Sequence, residues 1–207
     1  MKKSNFLLVL VVCLLTNYVS YSQYVEPEPD DTVRIYAKTP FDTTAAIHAL
    51  AKGSSTIKGV AFTRPRTGFG YKAPLANRIF ANKVKILLFP VTPYLLEYLE
   101  LKKKEKPKKL RYVYMDPGAW YYRLEAITNS RGAFTFPNLK PGKYYLEAIL
   151  DWNTTGYYDA YSGSGYGSYG GRTDYYDRKY YNIAHYDKLT KFVDIEAEGQ
   201  TLDVKLK

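Results

Sequence analysis

"TNSRGAFTFPNLKPGKYYLEA", Thr128 to Ala148, is the stretch that decides the fold. Asn129 and Gly132 make a hairpin turn, the asparagine bonding its own backbone and the glycine accepting a positive φ. Phe134 and Phe136, two residues apart, point to one face of a strand. Leu139 plugs the end of a core, Pro141-Gly142 turns the chain back, and Tyr144 starts the next strand.

Outward from this hairpin, the same grammar repeats. "TIKGVAFT", "NKVKILLFPV", "WYYRLEAIT", "AFTF", "KYYLEAIL", "KFVDIEA" and "LDVKLK" are short, β-branched or aromatic, and punctuated by Gly, Pro and Asn. Val84, Ile86 and Leu88 share one face, and Trp120, Tyr122, Leu124 and Ala126 alternate along another segment. The last segment places Leu202, Val204 and Leu206 inward and Asp203 and Lys205 outward, which predicts a half-buried antiparallel strand. Seven such strands predict a mainly β protein, a sandwich.

The Thr128–Ala148 pattern resembles the core of carboxypeptidase regulatory-like domains, through Thr128, Asn129, Gly132, Phe134, Phe136, Leu139, Pro141, Gly142 and Tyr144. "STIKGVAFT" resembles that family's first strand. The resemblance implies a seven-stranded, Greek-key, transthyretin-like sandwich over residues 55–207, broken by insertions at 92–118 and 152–187. It is nearly silent about function, because such domains serve as accessory, adhesive and structural modules. Related collagen-adhesin B-type repeats carry a lysine–asparagine crosslink promoted by a glutamate. Here the corresponding position is Ala148, and Glu147 points to the opposite face of the strand, so no such crosslink is expected.

The N-terminus reads as an export signal. Lys2 and Lys3 form a basic region, Phe6 to Leu15 an apolar one, and Ser20-Tyr21-Ser22 a cleavage site. Residues 1–22 are then a signal peptide, too short in its apolar part for a membrane span. A periplasmic, cell-surface or secreted protein follows. Cys13 is the sole cysteine, so the processed chain holds neither a disulfide nor a thiolate metal site.

The formal charge is +10, much of it in Lys102 to Arg111, where seven basic residues face Glu105 alone. A lysine run without interleaved aromatics is a solvated loop, not a nucleic-acid site.

Residues 23–54 form an acidic, proline-containing leader and a short helix, "TPFDTTAAIHALAKG". Thr39 is the expected cap, Pro40 the first helical residue and Gly53 the stop. In the first insertion, Thr92-Pro93 starts a helix that lays Leu95, Leu96 and Leu99 on the sandwich. A solvent loop follows it.

The second insertion contains "GYYDAYSGSGYGSYGGRTDYYDRKYY", Gly156 to Tyr181, with nine tyrosines and hardly an aliphatic residue. Tyrosine offers a rigid apolar face and a hydroxyl at low entropic cost, and Gly and Ser adapt around it, as in antibody binding loops. The candidate ligand-binding residues are Trp152, Tyr157, Tyr158, Tyr161, Tyr166, Tyr169, Tyr175 and Tyr176. Their partner is an envelope or dietary polysaccharide, or an envelope protein. The same composition also suits a floppy segment, or tyrosines folded back as an added strand.

Catalytic chemistry has little to stand on. No Gly-x-Ser-x-Gly elbow is present, and a cysteine nucleophile is impossible after processing. His48 and His185 lie far apart, with no metal-ligand spacing. Asp151, Asp159, Asp174 and Asp177 form no calcium-loop run. No cofactor and no metal are expected, and the chain reads as non-enzymatic. A hydrolase stays the remote alternative, because two carboxylates placed by the fold leave no sequence mark. Asp31-Thr32-Val33 and Asp42-Thr43-Thr44 resemble O-glycosylation acceptors of some Bacteroidota.

Overall fold

The computed structural model describes residues 31–66, 71 and 73–207; the stretch read as a signal peptide, residues 1–22, and the start of the acidic leader lie outside them. The architecture is a β-sandwich of two four-stranded sheets. One sheet holds β2 (Ser55–Thr63) between β10 (Thr201–Leu206) and β7 (Ala133–Leu139), with the short β3 (Ile79–Phe80) pairing the end of β2. The other runs β6 (Leu124–Ile127), β4 (Lys85–Pro90), β8 (Gly142–Tyr166), β9 (Arg172–Ile195), every pair antiparallel.

All seven strands read from the sequence are present, and their inward residues meet between the sheets. Ile57, Ala61, Ile86, Leu88, Phe134, Phe136, Leu139, Leu146, Leu189 and Leu206 are buried in one cluster. The Thr128–Ala148 hairpin folds as its residues dictate. Asn129 Oδ1 accepts from the amides of Arg131 and Ala133, and Gly132 takes φ +72°. A Cβ at Gly132 would lie 2.3 Å from the Ala61 carbonyl oxygen, so the position requires glycine twice over. The Tyr144 hydroxyl donates to Ala49 and Lys140 carbonyls at 3.0 and 2.8 Å, pinning the first helix to the sandwich. Ala148 lies in the core, while Glu147 faces outward and pairs with Lys188 at 2.9 Å.

Four local expectations need correction. β10 pairs β2 in parallel, not antiparallel. Its alternation reports one buried face and carries no information about direction, and the turn after β9 moves the chain to the opposite sheet. Helix α1 (Thr43–Leu50) is capped by Asp42, whose carboxylate accepts from Ala45, and not by Thr39. Glu97 holds the Lys38 and Thr39 amides in a bend ahead of the helix. Trp120 and Tyr122 precede β6, since Asp116-Pro117 opens a short helix α3 (Pro117–Tyr121). Helix α2 (Pro93–Lys103) begins at the Thr92 cap as read and buries Leu95, but Leu96 is exposed.

The lysine-rich segment after α2 is not wholly loop. It closes with β5 (Arg111–Val113), which pairs in parallel with β1 (Val33–Ile35) of the leader. The second insertion departs furthest from expectation. It is no loop but the outer half of one hairpin, with β8 and β9 paired from Gly142↔Ile195 to Tyr166↔Arg172.

Candidate functional site

The hairpin leaves the sandwich at a buried knot. Trp152, 7% exposed, stacks on His185 at 4.2 Å and donates from Nε1 to Asp187 at 3.2 Å. Asp187 also accepts from Thr63 Oγ1 at 2.5 Å and pairs with Arg66 at 3.1 Å. One carboxylate thus ties the end of β2 to β9 across the two sheets. Trp152 belongs to this root, and its ring is not presented to solvent.

Beyond the root, the paired strands from Thr154 to Tyr166 project as a two-stranded ribbon for roughly 40 Å at about 3.3 Å per residue. Strand alternation sorts the side chains onto two faces. The face continuous with the outside of the sheet carries a ladder of cross-strand pairs. Tyr157 opposes Tyr180, with ring centres 6.4 Å apart. Asp159 opposes Arg178, joined at 3.0 Å, and the guanidinium lies 4.3 Å over the Tyr157 ring. Tyr161 opposes Tyr176 edge-on at 6.0 Å. A bulge between Tyr161 and Gly163 restores the same face to Ser164, which bonds Tyr161 and Asp174. Arg172 pairs with Asp174 at 2.7 Å and stands opposite Tyr166. The hydrogen bond and charge of Asp159 push Arg178 further above its ordinary range, so the guanidinium keeps its charge.

The second face carries Tyr158, Tyr181 and Tyr175, and two of the ribbon's glycines belong to it. A Cβ on Gly156 would sit 2.6 Å from the Tyr181 ring, and one on Gly165 would sit 3.0 Å from the Tyr175 hydroxyl. Aromatic rings laid over glycines stabilise strands that lack side chains there. Tyr169 stands fully exposed at the tip, in the turn closed by Gly167 and Gly171. Apart from Trp152, every tyrosine predicted as a contact residue is exposed on this ribbon.

Sequence reasoning missed the second strand's Tyr180 and Tyr181, and a cavity at the foot of the ladder. The strand register supplies the missing signal, because Tyr180 and Tyr181 become site residues only once β9 is paired with β8. The cavity, about 550 Å³ and open to solvent, lies on the outer face of β6, β4 and β8. Trp120 forms one wall, with the Arg123 guanidinium 3.9 Å over its ring. Lys83, Lys85 and Leu87 line it from the side of β4, and Glu125, Glu147, Ile149 and Asp151 from β6 and β8. Hydrogen bonds from Lys85 and then Arg123 hold Glu125 below the usual carboxylate range. By alternation, Glu147, Ile149 and Asp151 are on the same face of β8 as Tyr157 and Tyr161.

Among the described residues, no group of three or more His, Cys, Asp or Glu side chains is placed to hold a metal ion. Asp159 and Asp174 are engaged by arginines, and Asp42 of the Asp-Thr-Thr tripeptide caps α1. No helix of the described residues is long and apolar enough to cross a membrane.

No family model matches the sequence, and no curated protein matches it. Among solved structures, a candidate carbohydrate binding protein from Pseudomonas aeruginosa superimposes with a TM-score of 0.53 at 21% identity. The match covers 81% of this chain and 97% of that one. The likeness is one of fold. It places the sandwich among known architectures and leaves the ribbon to be read from its own residues.

Proposed function

We propose that the protein is a non-enzymatic module, exported to the cell envelope or beyond it, that binds a polysaccharide along the outer face of the β8–β9 ribbon. The observation that carries this reading is the ladder itself. The exposed pairs Tyr157–Tyr180 and Tyr161–Tyr176 alternate with the Asp159–Arg178 ion pair and the hydrogen-bonded Ser164–Asp174 pair, on a face that begins at the Trp120 cavity. A sugar ring has an apolar C–H face and a rim of hydroxyls, and an extended chain presents both repeatedly. Tyrosine rings accept the first, while Asp159, Arg178, Asp174 and Arg172 bond the second. The structural neighbour's description as a candidate carbohydrate binding protein agrees with this reading.

The test is binding of processed protein, from Gln23 onward, to a panel of envelope and dietary polysaccharides. Beside it runs a variant with residues 156–181 replaced by Asn-Gly, so that Thr155 and Asn182 close a two-residue hairpin. Saturable binding by the intact protein, lost in a shortened variant that still folds, is the expected result. A folded intact protein that binds no polysaccharide overturns the reading. The second ribbon face, with Tyr158, Tyr175 and Tyr181 equally exposed, then makes an envelope protein the partner to seek.

A further inference from the structure

A second surface, on the other sheet, has a different chemistry. Beside β2, β3 and β10 lies a cleft of about 430 Å³ lined by Phe62, Thr63, Arg64, Arg78, Lys205 and Lys207, with Pro74 at its edge. A neighbouring depression shares Phe62, Arg78 and Lys205 with it and adds Arg131. Five cations from separate parts of the chain therefore converge on one aromatic floor. Among the described residues no acidic side chain lines either cavity, and none of the five cations forms an ion pair. The Arg64 Nε is buried without a hydrogen-bond partner, although its Nη1 is fixed by the Pro74 carbonyl. Arg78 is held 4.8 Å over the Phe62 ring.

In the lysine-rich run, two of the cations, in the last turn of α2, have acidic partners close by in the sequence. There Lys102 pairs with Glu105 at 2.7 Å and Lys103 with Glu100 at 2.6 Å. In the cleft, like charges are gathered without such relief, at a cost in Coulomb repulsion and in one unsatisfied guanidinium nitrogen. An oxyanion in the cleft relieves the repulsion. Arginine forks match its oxygens in pairs, and Lys205 and Lys207 add point charge.

We propose that this cleft is an anion-binding site for a phosphate or sulfate ester group, separate from the ribbon and independent of what the ribbon binds. The ester's carrier lies against Phe80, whose ring is exposed beside Phe62. A soluble phosphoryl compound and an anionic lipid headgroup share this chemistry, and the experiment separates them.

Inorganic pyrophosphate is titrated into the processed protein, and binding to vesicles of phosphatidylcholine with phosphatidylglycerol is measured in parallel. Three variants are compared: Arg78→Gln with Lys205→Gln, both at exposed positions; Arg64→Gln; and Lys106→Gln with Lys108→Gln in the lysine-rich segment. The intact protein is expected to bind at least one probe, more weakly as salt rises from about 50 to about 200 mM. The exposed cleft pair should weaken that binding about tenfold, equal to about 1.4 kcal/mol. The lysine-segment pair should change it less than about twofold, the size of effect given by distant screened charges. Pyrophosphate binding lost in the cleft variants identifies a soluble ligand, and vesicle binding lost in them identifies a headgroup. Equal losses in cleft and lysine-segment variants, or no binding of either probe, would overturn the proposal.

Discussion

The β8–β9 hairpin is one structure with two halves, and the difference between them is instructive. From Gly142 to Trp152, one face of β8 carries Tyr144, Leu146, Ala148, Leu150 and Trp152, all buried against the opposite sheet. From Thr154 to Ala160, the same face carries Thr154, Gly156, Tyr158 and Ala160, with no sheet behind it. Register and hydrogen bonding run through the boundary unchanged. The inner half is therefore stabilised by apolar burial, at roughly 25 cal/mol per Å². The outer half has only its ladder and cross-strand pairs, each contributing about 0.2–1 kcal/mol. A two-stranded ribbon alone is marginal in water, so the root anchors it.

The largest expected effect lies at the boundary. Trp152→Ala removes the indole from the core, its stack on His185 and its bond to Asp187. A loss of about 3–5 kcal/mol in unfolding free energy is expected, as for other buried aromatic truncations. Denaturant unfolding followed by far-UV circular dichroism checks it. A loss under about 1 kcal/mol would mean that the knot is dispensable and that the inner and outer halves are not distinguished by burial.

The sequence made the inner half legible and the outer half not, for a physical reason. Phe134, Phe136, Leu139 and Tyr144 announce themselves because a half-buried strand needs apolar residues at every second position. The ribbon obeys period two as well, but with neither face buried its tyrosines fall on both, among charges on one and glycines on the other, and no apolar–polar alternation results. Its composition therefore resembled a loop. Trp152 looked like a contact residue because it borders the tyrosine-rich stretch, and only the Asp187 bond shows that it faces inward. The helix start at Asp116-Pro117 was readable as a cap followed by proline, yet the alternation of Trp120 to Ala126 concealed it. The Trp120 cavity joins residues from three strands and a helix, which no local pattern reveals.

A smaller effect is expected in the outer half. Tyr161→Ala with Tyr176→Ala removes one edge-on pair between residues already 57% and 59% exposed. Global stability should fall by less than about 1 kcal/mol, because the ribbon can open without the sandwich. Hydrogen exchange should quicken in the amides beyond Thr154 and stay unchanged in β2, β4 and the inner part of β8. Protection lost throughout the sandwich would show that the two halves unfold as one unit.

Acid should act on the body and leave the ribbon's contribution aside, the smallest of the three effects. Glu97 is held below its ordinary value of 4.5, first by the Thr39 side chain and then by the Lys38 and Thr39 amides. Glu198 is likewise lowered, first by the Ser54 hydroxyl and then by its amide. A carboxyl whose folded pKa is depressed contributes stability that is complete above its unfolded pKa. That contribution is lost as pH falls through the folded value. Stability should thus decline below the ordinary carboxylate range, and Glu97→Gln should flatten that decline while loosening the Lys38–Thr39 segment from α2. Both carboxylates stay open to solvent, Glu198 fully and Glu97 in part, so screening keeps the change slight. The variant shortened at 156–181 keeps Glu97, Glu198 and their partners, so its acid limb should overlay that of the intact protein. A shortened protein with a displaced acid limb would mean that charges on the ribbon, such as the Asp159–Arg178 rung and the Arg172–Asp174 pair along one strand, couple to the sandwich after all.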